Sequence, residues 1–412
     1  MNILGIHDGH NATLALFRND KIVYAVSEER LSRIKNQGGF PHLALARILA
    51  ETQLTTAAID KVIFTTNNTH AAEWFDREKL LLRYRKTIDI DVLQRPLGKR
   101  LRKSILSPFR ELVPWSKNVR QAKKEERFKP LLAHGFLLHQ IGTMDHHLAH
   151  AASAYFAHHD FDHDVLVLTN DGGGDGLCAS VSIGREGRLD RLATVSVRNS
   201  FAALYARATF LMGMMPLEHE YKLMGLAPYA DQKKARFIAD TLLSYFEWPS
   251  EAPLTWRLSD RFISVNYLGA HLKQLFFLQR FDVIAATMQQ FVEDVALQWI
   301  RNCIAETKIR HLALAGGLFM NVKLNQKILA FPEVDSLYVM PSAGDESTPI
   351  GACYWGATQE GVSPKTFEPL CDLYLGPTYD NHAIDEAVRA LAKNGVEIQT
   401  PESIEDSVAE LF

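Results

Sequence analysis

The sequence predicts an α/β protein made of two lobes, each built on a mixed sheet. Residues 2–29 read as three short strands, ILGIH, ATLALF and KIVYAV, with a tight turn at Asn19 and Asp20 between the last two. A strand-turn-strand pattern of the same kind returns at larger scale after Met144, behind a helical segment, HHLAHAASAYFAHH. The doubled pattern indicates a duplicated fold rather than one continuous sheet.

The other elements follow in an order that supports this prediction. A helix that begins at Pro41, LALARILAE, leads into the apolar strand DKVIFTT, so the first sheet is mixed and covered by a helix. In the second half, strands DVLVLTND, LCASVSIG and LATVSV precede a helical stretch, and strands HLALAGG and SLYVMP follow it. We expect a first lobe over residues 1–143, a second lobe with a helical insertion over residues 144–361, and a linker that starts a truncated further domain over residues 362–412.

The composition is that of a globular protein with more than one core. The chain has 412 residues, of which 47% are hydrophobic and 23% charged, and its formal net charge is -3. Neither a basic start followed by an apolar stretch nor a run of bilayer length is visible, so we expect a cytoplasmic protein without a membrane span. Four cysteines without metal-type spacing indicate reduced thiols: Cys178, Cys303, Cys353 and Cys371.

One stretch of the chain is strongly basic. Between Arg77 and Lys129 there are 17 Lys and Arg but 6 Asp and Glu, with spaced leucines and aromatic residues among them. Together with Pro96 and Pro108, this favours an insertion of short helices at about residues 67–134 that covers a cleft. Its charges either belong to solvated helix faces or meet a phosphate-bearing partner, and the sequence leaves both interpretations open.

The motif GIHDGHNATLAL, from Gly5 to Leu16, places a polar turn directly after a buried strand. Backbone N–H groups near Gly9 can donate to a phosphate oxygen, while Asp8 and His10 can bind a metal-bound water or move a proton. These two side chains are therefore candidate catalytic residues. A polar hairpin turn without further function is the alternative interpretation.

The motif HHLAHA places His146 and His150 four residues apart, so both imidazoles project from one face of a helix. Two neutral imidazoles in this arrangement can bind one divalent cation, which then needs a carboxylate from elsewhere in the chain. An ordinary helix face explains the same spacing, and the motif alone does not decide between the two interpretations.

The turn SAGDES, Ser342 to Ser347, follows a strand and offers such a carboxylate. Small residues flank Asp345 and allow a ligand to approach the backbone, so Asp345 is the candidate third metal ligand. Because Pro349 follows shortly afterwards, Asp345 or Ser347 can equally well be the cap of a helix.

Two glycine-rich motifs are candidate nucleotide-binding segments. LALAGGLFMNVKLN brings Gly316 and Gly317 to the start of a helix whose N-terminus can face a phosphate, with Asn321 one turn further on. LTNDGGGDG gives the backbone freedom to wrap a phosphate, and its candidate contacts are Asp171, Gly172, Gly173, Gly174 and Asp175. Ordinary strand-helix packing and a hairpin loop are the respective alternatives.

Two charged segments, SEERLSRIK and EHEYKLMGLAPYA, complete the set of motifs. Lys35 in the first and Lys222 in the second can hold phosphate oxygens of a ligand. Surface ion pairs are the alternative for each of the two lysines. Only the combination with the other motifs makes a ligand-binding role the better interpretation.

Taken together and in this order, the motifs resemble the O-carbamoyltransferase family, which includes the nodulation-factor, cephalosporin and tobramycin carbamoyltransferases. The resemblance covers residues 1 to about 380 and rests on HHLAHA, YKLMGLAPY, LALAGGLFMN and SAGDES. It implies a duplicated actin-like ATPase fold. This fold is ribonuclease H-like and is also known by the acronym ASKHA. It also implies that a smaller domain, which makes carbamoyl-adenylate in this family, follows the present one. We expect most of that smaller domain to be missing from this chain.

The resemblance implies a two-step reaction. In the first step carbamoyl phosphate and ATP give carbamoyl-adenylate. In the second step the carbamoyl group passes to a hydroxyl of a small or sugar-like acceptor, and this chain resembles the part of the family's proteins that performs this second step. The resemblance implies that a divalent metal, usually iron(II), with Mg, Mn or Zn as alternatives, is bound by His146, His150 and Asp345. It further implies that His10 deprotonates the acceptor and that Lys35 lies near the same cleft, so Lys35 is a third candidate catalytic residue beside Asp8 and His10.

Two positions depart from the family's usual pattern, since Asn11 stands where relatives often have Asp, and Asp175 where many have Glu. Two other functions stay open: a threonylcarbamoyl-type enzyme that modifies tRNA through the basic segment, and a non-catalytic nucleotide-binding subunit that regulates a partner. The resemblance favours carbamoyl transfer in the biosynthesis of an antibiotic or other secondary metabolite, without a nucleic-acid partner. A homodimer is compatible with it.

Overall fold

The computed structural model describes the chain in three stretches, residues 1–68, 76–88 and 125–412. The chain divides into two compact units, Met1–Leu375 and Gly376–Phe412. Both predicted lobes lie in the first unit, which therefore contains all the candidate site residues. Residues 89–124, the greater part of the basic segment, lie outside the described stretches, and the short helices expected there stay a prediction.

The first lobe is built on a five-stranded sheet. Its strands are β1 Asn2–His7, β2 Thr13–Arg18, β3 Lys21–Ser27, β4 Lys61–Phe64 and β5 Ile141–Thr143. Their order is β3-β2-β1-β4-β5, in which β1, β2 and β3 form the predicted antiparallel meander and β4 and β5 run parallel to β1. Left-handed backbone at Asn19 and Asp20 makes the tight turn between β2 and β3.

The second lobe repeats this sheet. Its strands are β6 Val165–Gly174, β7 Leu177–Arg185, β8 Arg188–Ser196, β11 His311–Ala315 and β12 Ser336–Val339, while β9 Phe246–Glu247 and β10 Arg257–Leu258 form a separate small hairpin. The order is β8-β7-β6-β11-β12, with β6, β7 and β8 antiparallel and β11 and β12 parallel to β6. Because both sheets share one connectivity, the predicted duplicated actin-like fold is confirmed.

Helices cover both sheets of the first unit. They are Glu28–Ser32, His42–Thr52, Arg77–Ile88, 125–133, His146–His158, Phe201–Leu211, Glu220–Leu226, Gln232–Leu243, Gly269–Leu275, Phe281–Thr307, Val322–Leu329 and Thr348–Gln359. The second unit contains the helices Asn381–Lys393 and Ile404–Ala409. Within the described stretches, no helix combines the length and the apolar character that a membrane crossing requires.

Two helices, His146–His158 and Thr348–Gln359, form the layer between the sheets. One hydrophobic cluster joins their buried side chains to β1 and β2 on one side and to β6 and β11 on the other. Gly351 allows the two helices to touch, because a Cβ atom there would lie 1.9 Å from the carbonyl oxygen of Ala149. The two lobes are therefore joined through a shared and closely packed helical layer.

The outer face of each sheet is covered by its own helices. Helix His42–Thr52 packs on apolar side chains of the first sheet. Helix Phe281–Thr307, which is buried along most of its length, packs on the second sheet together with helix Phe201–Leu211. This five-layer arrangement leaves the ends of the strands, rather than the faces of the sheets, as the places where a ligand can bind.

Candidate active site and metal centre

A cleft with a volume of about 460 Å³ opens between the two lobes. Strands β1, β6, β11 and β12 all end beside it, which is the edge where open α/β sheets place their ligands. The insertion helix Arg77–Ile88 packs on the second lobe, where Leu80 and Tyr84 join Ala206 and Met215 in a small apolar cluster. Arg83, Tyr84 and Thr87 of this helix thereby line one wall of the cleft.

Asp345 lies at the bottom of the cleft, after β12, and each of its carboxylate oxygens faces two imidazoles. Its Oδ1 lies 3.3 Å from His150 Nε2 and 3.4 Å from His146 Nε2. Its Oδ2 lies 3.4 Å from His7 Nε2 and 3.5 Å from His10 Nδ1. The carboxylate thus brings two histidines of the first lobe together with two of the second.

The helix His146–His158 delivers two of these imidazoles in a fixed geometry. Asp145 caps the helix, because its carboxylate accepts a hydrogen bond from the N–H of Leu148 at 2.9 Å. The four-residue spacing then places the rings of His146 and His150 with their centres 4.6 Å apart. Both side chains are buried, so their positions are set by the surrounding helical layer.

Asp171, near the end of β6, is a second carboxylate in the cluster. Its Oδ2 lies 3.6 Å from His146 Nε2, and its Oδ1 accepts a hydrogen bond from the N–H of Gly317 at 3.1 Å. One ligand atom from each of four residues lies within 4.8 Å of the other three: His146, His150, Asp171 and Asp345. Asp171, which the sequence predicts to contact nucleotide, therefore also lies beside the predicted metal ligands.

The electrostatics of the cluster are dominated by the contacts between carboxylates and imidazoles. Burial by itself raises the pKa of Asp345, but the charges of His146 and His7 outweigh it and bring that pKa well below 3.8. Burial lowers the pKa of His146, but the negative charges of Asp345, Asp171 and Asp175 together outweigh it and raise that pKa to about 9. Burial and the charges of His146 and His150 lower the pKa of His147 to about 3.

This set of donors fits a divalent cation. Among the described residues, the ion pairs of Asp345 and Asp171 involve imidazoles and neither Lys nor Arg. The buried Nε2 atom of His146 has no hydrogen-bond partner in the part of the chain that the structure describes, although it lies beside both carboxylates. Imidazole nitrogens and carboxylate oxygens are ligands of zinc, iron and manganese, and a cation here would satisfy that nitrogen and neutralise both carboxylates.

The three predicted catalytic residues have different surroundings. Asp8 accepts two hydrogen bonds from Arg127, one from Nε at 2.6 Å and one from Nη2 at 2.5 Å. Lys35 is 64% exposed and donates to Glu29 at 3.1 Å. His10 alone of the three lines the cleft.

Five of the predicted nucleotide contacts line the cleft: Asp171, Gly172, Gly173, Gly317 and Asn321. Gly316 forms the turn behind them with φ of 104°, and a Cβ atom there would lie 2.3 Å from the carbonyl oxygen of Asn170. Asn321 caps the following helix by accepting a hydrogen bond from the N–H of Leu324 at 3.1 Å, and its amide also pairs with Gln289. The wall of the cleft is therefore backed by a fixed backbone.

Besides Gly316, three further predicted nucleotide contacts lie outside the lining of the cleft. A Cβ atom at Gly174 would lie 2.2 Å from the ring of His146, so this glycine serves the packing of that ring. The carboxylate of Asp175 is engaged by hydrogen bonds from both lobes. The ammonium group of Lys222 lies 5.9 Å from the ring centre of Tyr221. Nucleotide contact by these residues stays a prediction.

Two residues of the site, His7 and Arg127, were not singled out from the sequence. His7 is hydrogen-bonded through Nδ1 to Thr65 at 3.0 Å and through Nε2 to the carbonyl oxygen of His10 at 3.1 Å. The alternation of side chains between the two faces of β1 is the signal that could have identified His7. His7 lies on the same face as Ile3, which packs into the layer between the lobes. Arg127 is one of many cations in the basic segment, and nothing in the sequence distinguishes it.

The fold and the cluster define the class of protein, an actin-like protein with a metal-type site in a glycine-lined cleft between its lobes. The particular family follows from comparison with known proteins. Residues 2–354 match the family model described as Carbamoyltransferase N-terminus, and the chain belongs to this family. The resemblance seen in the motifs is thereby confirmed.

Relatives in the curated collection of proteins share about a quarter of their residues with the chain. Nodulation protein NolNO of Sinorhizobium fredii is 26% identical, over 97% of this chain and 54% of its own length. Nodulation protein NolO of Bradyrhizobium diazoefficiens is 29% identical, over 65% of this chain and 48% of its own length. Uncharacterized protein sll1178 of Synechocystis is 27% identical, over 96% and 64%. The chain thus spans about half to two thirds of the length of these relatives.

Solved structures give more distant matches. Full-length HypF in its phosphate- and nucleotide-bound form matches with a TM-score of 0.48 and 13% identity, over 88% of this chain and 56% of that one. Component A of (R)-2-hydroxyglutaryl-CoA dehydratase from Acidaminococcus fermentans matches with a TM-score of 0.44 and 9% identity, over 88% and 100%. At such identities residue roles do not transfer from these structures to this chain.

Proposed function

We propose that this chain performs the transfer step of an ATP-dependent O-carbamoyltransferase. In this proposal carbamoyl phosphate and ATP first give carbamoyl-adenylate, and the cleft then passes the carbamoyl group to a hydroxyl of a small or sugar-like acceptor. Family membership supports the chemistry, and the observation that carries the assignment to this cleft is the convergence of His146, His150 and Asp345 beside the glycine turns. The proposal places the reaction in the cytoplasm, where the four unpaired cysteines stay reduced.

The proposed metal ligands are His146, His150 and Asp345, with Asp171 as a neighbouring carboxylate. Iron(II) suits two imidazoles and a carboxylate that leave further positions open, and Mn, Mg and Zn are the alternatives. When bound there, a divalent cation neutralises phosphate oxygens of the adenylate and so stabilises the leaving group. The buried helix and the loop after β12 hold the ligands in place before any cation arrives.

His10 is the proposed general base. Its side chain is 26% exposed, lines the cleft, and presents Nδ1 to Asp345 Oδ2 at 3.5 Å. An imidazole oriented at one nitrogen by a carboxylate can accept a proton at the other nitrogen. The acceptor hydroxyl would therefore sit within about 3 Å of His10 Nε2, which is the reach that proton transfer requires.

In the transfer, the acceptor oxygen attacks the carbamoyl carbon while its proton moves to His10 Nε2. A carbon–oxygen bond to the acceptor forms, and the bond between the carbamoyl carbon and the phosphate oxygen of the adenylate breaks. AMP leaves with that electron pair, and His10 releases its proton to solvent before the next turnover. No oxidant or reductant is consumed.

The glycine turns form the proposed nucleotide wall. Asp171 accepts hydrogen bonds from the N–H of Gly173 at 3.3 Å and from the N–H of Gly317 at 3.1 Å, so it holds the two turns against each other. Asn321 lies on the same wall, with its amide paired to Gln289. We place the phosphate end of the adenylate at these turns because backbone without side chains lets an anion approach closely.

Binding of AMP, the leaving group, tests this proposal without knowledge of the acceptor. Calorimetry would compare AMP binding with and without Mn²⁺ for the wild type, for Asp345→Asn and for His10→Ala. We expect Mn²⁺ to raise the AMP affinity at least about tenfold in the wild type and in His10→Ala, and to have no effect in Asp345→Asn. Equal AMP affinity with and without Mn²⁺ in the wild type would contradict the proposal.

A further inference from the structure

The segment Asp171–Asp175 encloses His146 on three sides. Asp171 faces the ring at Nε2 from 3.6 Å, and the backbone at Gly174 lies so close that a Cβ atom there would be 2.2 Å from the ring. Asp175 accepts a hydrogen bond from the backbone N–H of His146 at 3.0 Å. One short segment therefore controls both the side chain and the backbone of this residue.

Asp175 also reaches across to the first lobe. Its Oδ2 accepts a hydrogen bond from the N–H of Asn67 at 2.8 Å. Its Oδ1 accepts one from the N–H of Asn68 at 2.9 Å and another from the side-chain amide of Asn68 at 2.8 Å. Together with the bond from His146, this carboxylate accepts four hydrogen bonds, three from the first lobe and one from the second.

The chemistry of a carboxylate suits this position. His146 is the first residue of its helix, and the N–H groups at a helix start have no partner within the helix, so an anion there is favoured. An ionised carboxylate accepts hydrogen bonds at both oxygens, whereas the amide of Asn would turn an NH₂ group toward other N–H donors. Asp175 has φ of 49°, a left-handed conformation that Asp tolerates better than most residues.

The first-lobe end of this contact is itself held in place. Thr66 Oγ1 donates to the carbonyl oxygen of Asn68 at 2.9 Å and accepts a hydrogen bond from Arg127 Nη2 at 2.8 Å. Arg127 in turn holds the carboxylate of Asp8 in the first turn. A continuous chain of hydrogen bonds thus joins the lobes through six residues in this order: Asp8, Arg127, Thr66, Asn68, Asp175 and His146.

We propose that Asp175 is a positioning residue that latches the two lobes together and fixes His146 at the cleft. Separation of the lobes at this point must break the bonds of Asp175 to Asn67 and Asn68 or its bond to His146. The same contact therefore contributes, together with Asp345, to the spacing between the imidazoles of the first lobe and the metal ligands of the second. The effect of the latch on metal affinity rests on the proposed function, whereas its effect on the three backbone amides does not.

Hydrogen exchange and Mn²⁺ titration of the full chain test the latch. Asp175→Asn is compared with the wild type and with Asp335→Asn, a matched control in the same lobe whose carboxylate pairs with Arg310 on the surface. We expect Asp175→Asn to exchange the amides of Asn67, Asn68 and His146 about tenfold faster or more. We also expect its Mn²⁺ dissociation constant to rise by about 10- to 100-fold, as for lost support of a metal ligand. The control should change neither quantity.

The two readouts separate failure of the latch from failure of the proposed function. Wild-type exchange rates and wild-type Mn²⁺ affinity in Asp175→Asn would overturn the latch, and so would faster exchange with unchanged affinity. If the wild type binds no Mn²⁺, the proposed metal site fails and the exchange rates alone decide whether Asp175 joins the lobes. Should Asp175→Asn not fold, Asn68→Ala removes one of the four bonds, and unchanged exchange at Asn67 and His146 in that variant would overturn the proposal.

Discussion

His150 Nε2 and Asp345 Oδ1 lie 3.3 Å apart in the interior of the protein, although 195 residues separate them in the chain. The contact joins the helix between the two sheets to the loop that follows β12. Because a buried carboxylate is stable only when it is paired, this contact ties the position of the loop to that of the helix. The other oxygen of the same carboxylate faces His7 and His10, so Asp345 sets the geometry of both halves of the site.

Removal of the proposed base, His10, should slow the transfer reaction without preventing AMP or a metal ion from binding. We expect His10→Ala to release AMP from carbamoyl-adenylate about 10²- to 10⁴-fold more slowly, with water or an added sugar as acceptor, because no group remains to take the proton. The rate is measured by chromatography of AMP, with the exposed His139→Ala as a matched control. Wild-type AMP release by His10→Ala would exclude His10 as the base.

The turn before Asn321 should tolerate no side chain at Gly316. An alanine there would hold φ near 104° and place its Cβ 2.3 Å from the Asn170 carbonyl oxygen, so we expect a loss of about 3 kcal/mol in the free energy of unfolding. Gly361→Ala is the control, since Gly361 also has positive φ but a Cβ atom there would meet no atom of the described residues within 4 Å. Urea denaturation should show the larger loss for Gly316→Ala. Equal losses in Gly316→Ala and Gly361→Ala would show that the short distance to the Asn170 carbonyl oxygen does not affect stability.

The pair of Arg127 and Asp8 should stabilise the first lobe as a unit. Arg127→Met leaves the Asp8 carboxylate without the guanidinium that binds both of its oxygens, and we expect it to lower the free energy of unfolding by about 3–5 kcal/mol. Adding Asp8→Asn to this variant should restore part of the loss. The exposed pair of Arg310 and Asp335 supplies the control, and only a small loss is expected for Arg310→Met because water screens the two charges. A cost of that size for Arg127→Met would contradict the account.

Glu220 on the cleft wall should make stability depend on pH. Burial raises its pKa above 4.5, and backbone hydrogen bonds only partly offset this. The folded protein therefore holds this proton more tightly than the unfolded chain, and the contribution of Glu220 to stability is lost as pH rises from 4.5 through the raised pKa. We expect Glu220→Gln to raise Tm relative to the wild type increasingly between pH 4 and pH 8, whereas the exposed Glu333→Gln should not. A constant difference in Tm across this range would refute the pKa shift.

Local patterns were sufficient for the strands and for the doubling of the fold. They were also sufficient to place His146 and His150 on one helical face, because a spacing of four residues fixes that geometry without knowledge of the rest of the chain. For Asp345 the sequence left a ligand and a helix cap equally open. In the structure Ser347 precedes the helix Thr348–Gln359 without capping it through its side chain, and the Asp345 carboxylate is directed to the imidazoles instead.

Contacts between distant segments lay beyond the reach of those patterns. The carboxylate of Asp175 meets Asn68 across the lobes, and nothing within either motif indicates this pairing. Lys35 pairs with Glu29 because the intervening turn brings the two together, which a count of charges does not show. The insertion helix that carries Tyr84 packs on the second lobe rather than on its own, since its apolar partners come from a segment more than a hundred residues later in the chain.

Equilibrium binding of Mn²⁺ to the purified chain tests the central claim most directly, with electron paramagnetic resonance to count the free ion. The account predicts one tight site per chain in the wild type and in Asp335→Asn, and an affinity at least about 100-fold lower in Asp345→Asn, which keeps the shape of the side chain but removes its charge. Absence of a tight site in the wild type, or wild-type affinity in Asp345→Asn, would contradict it.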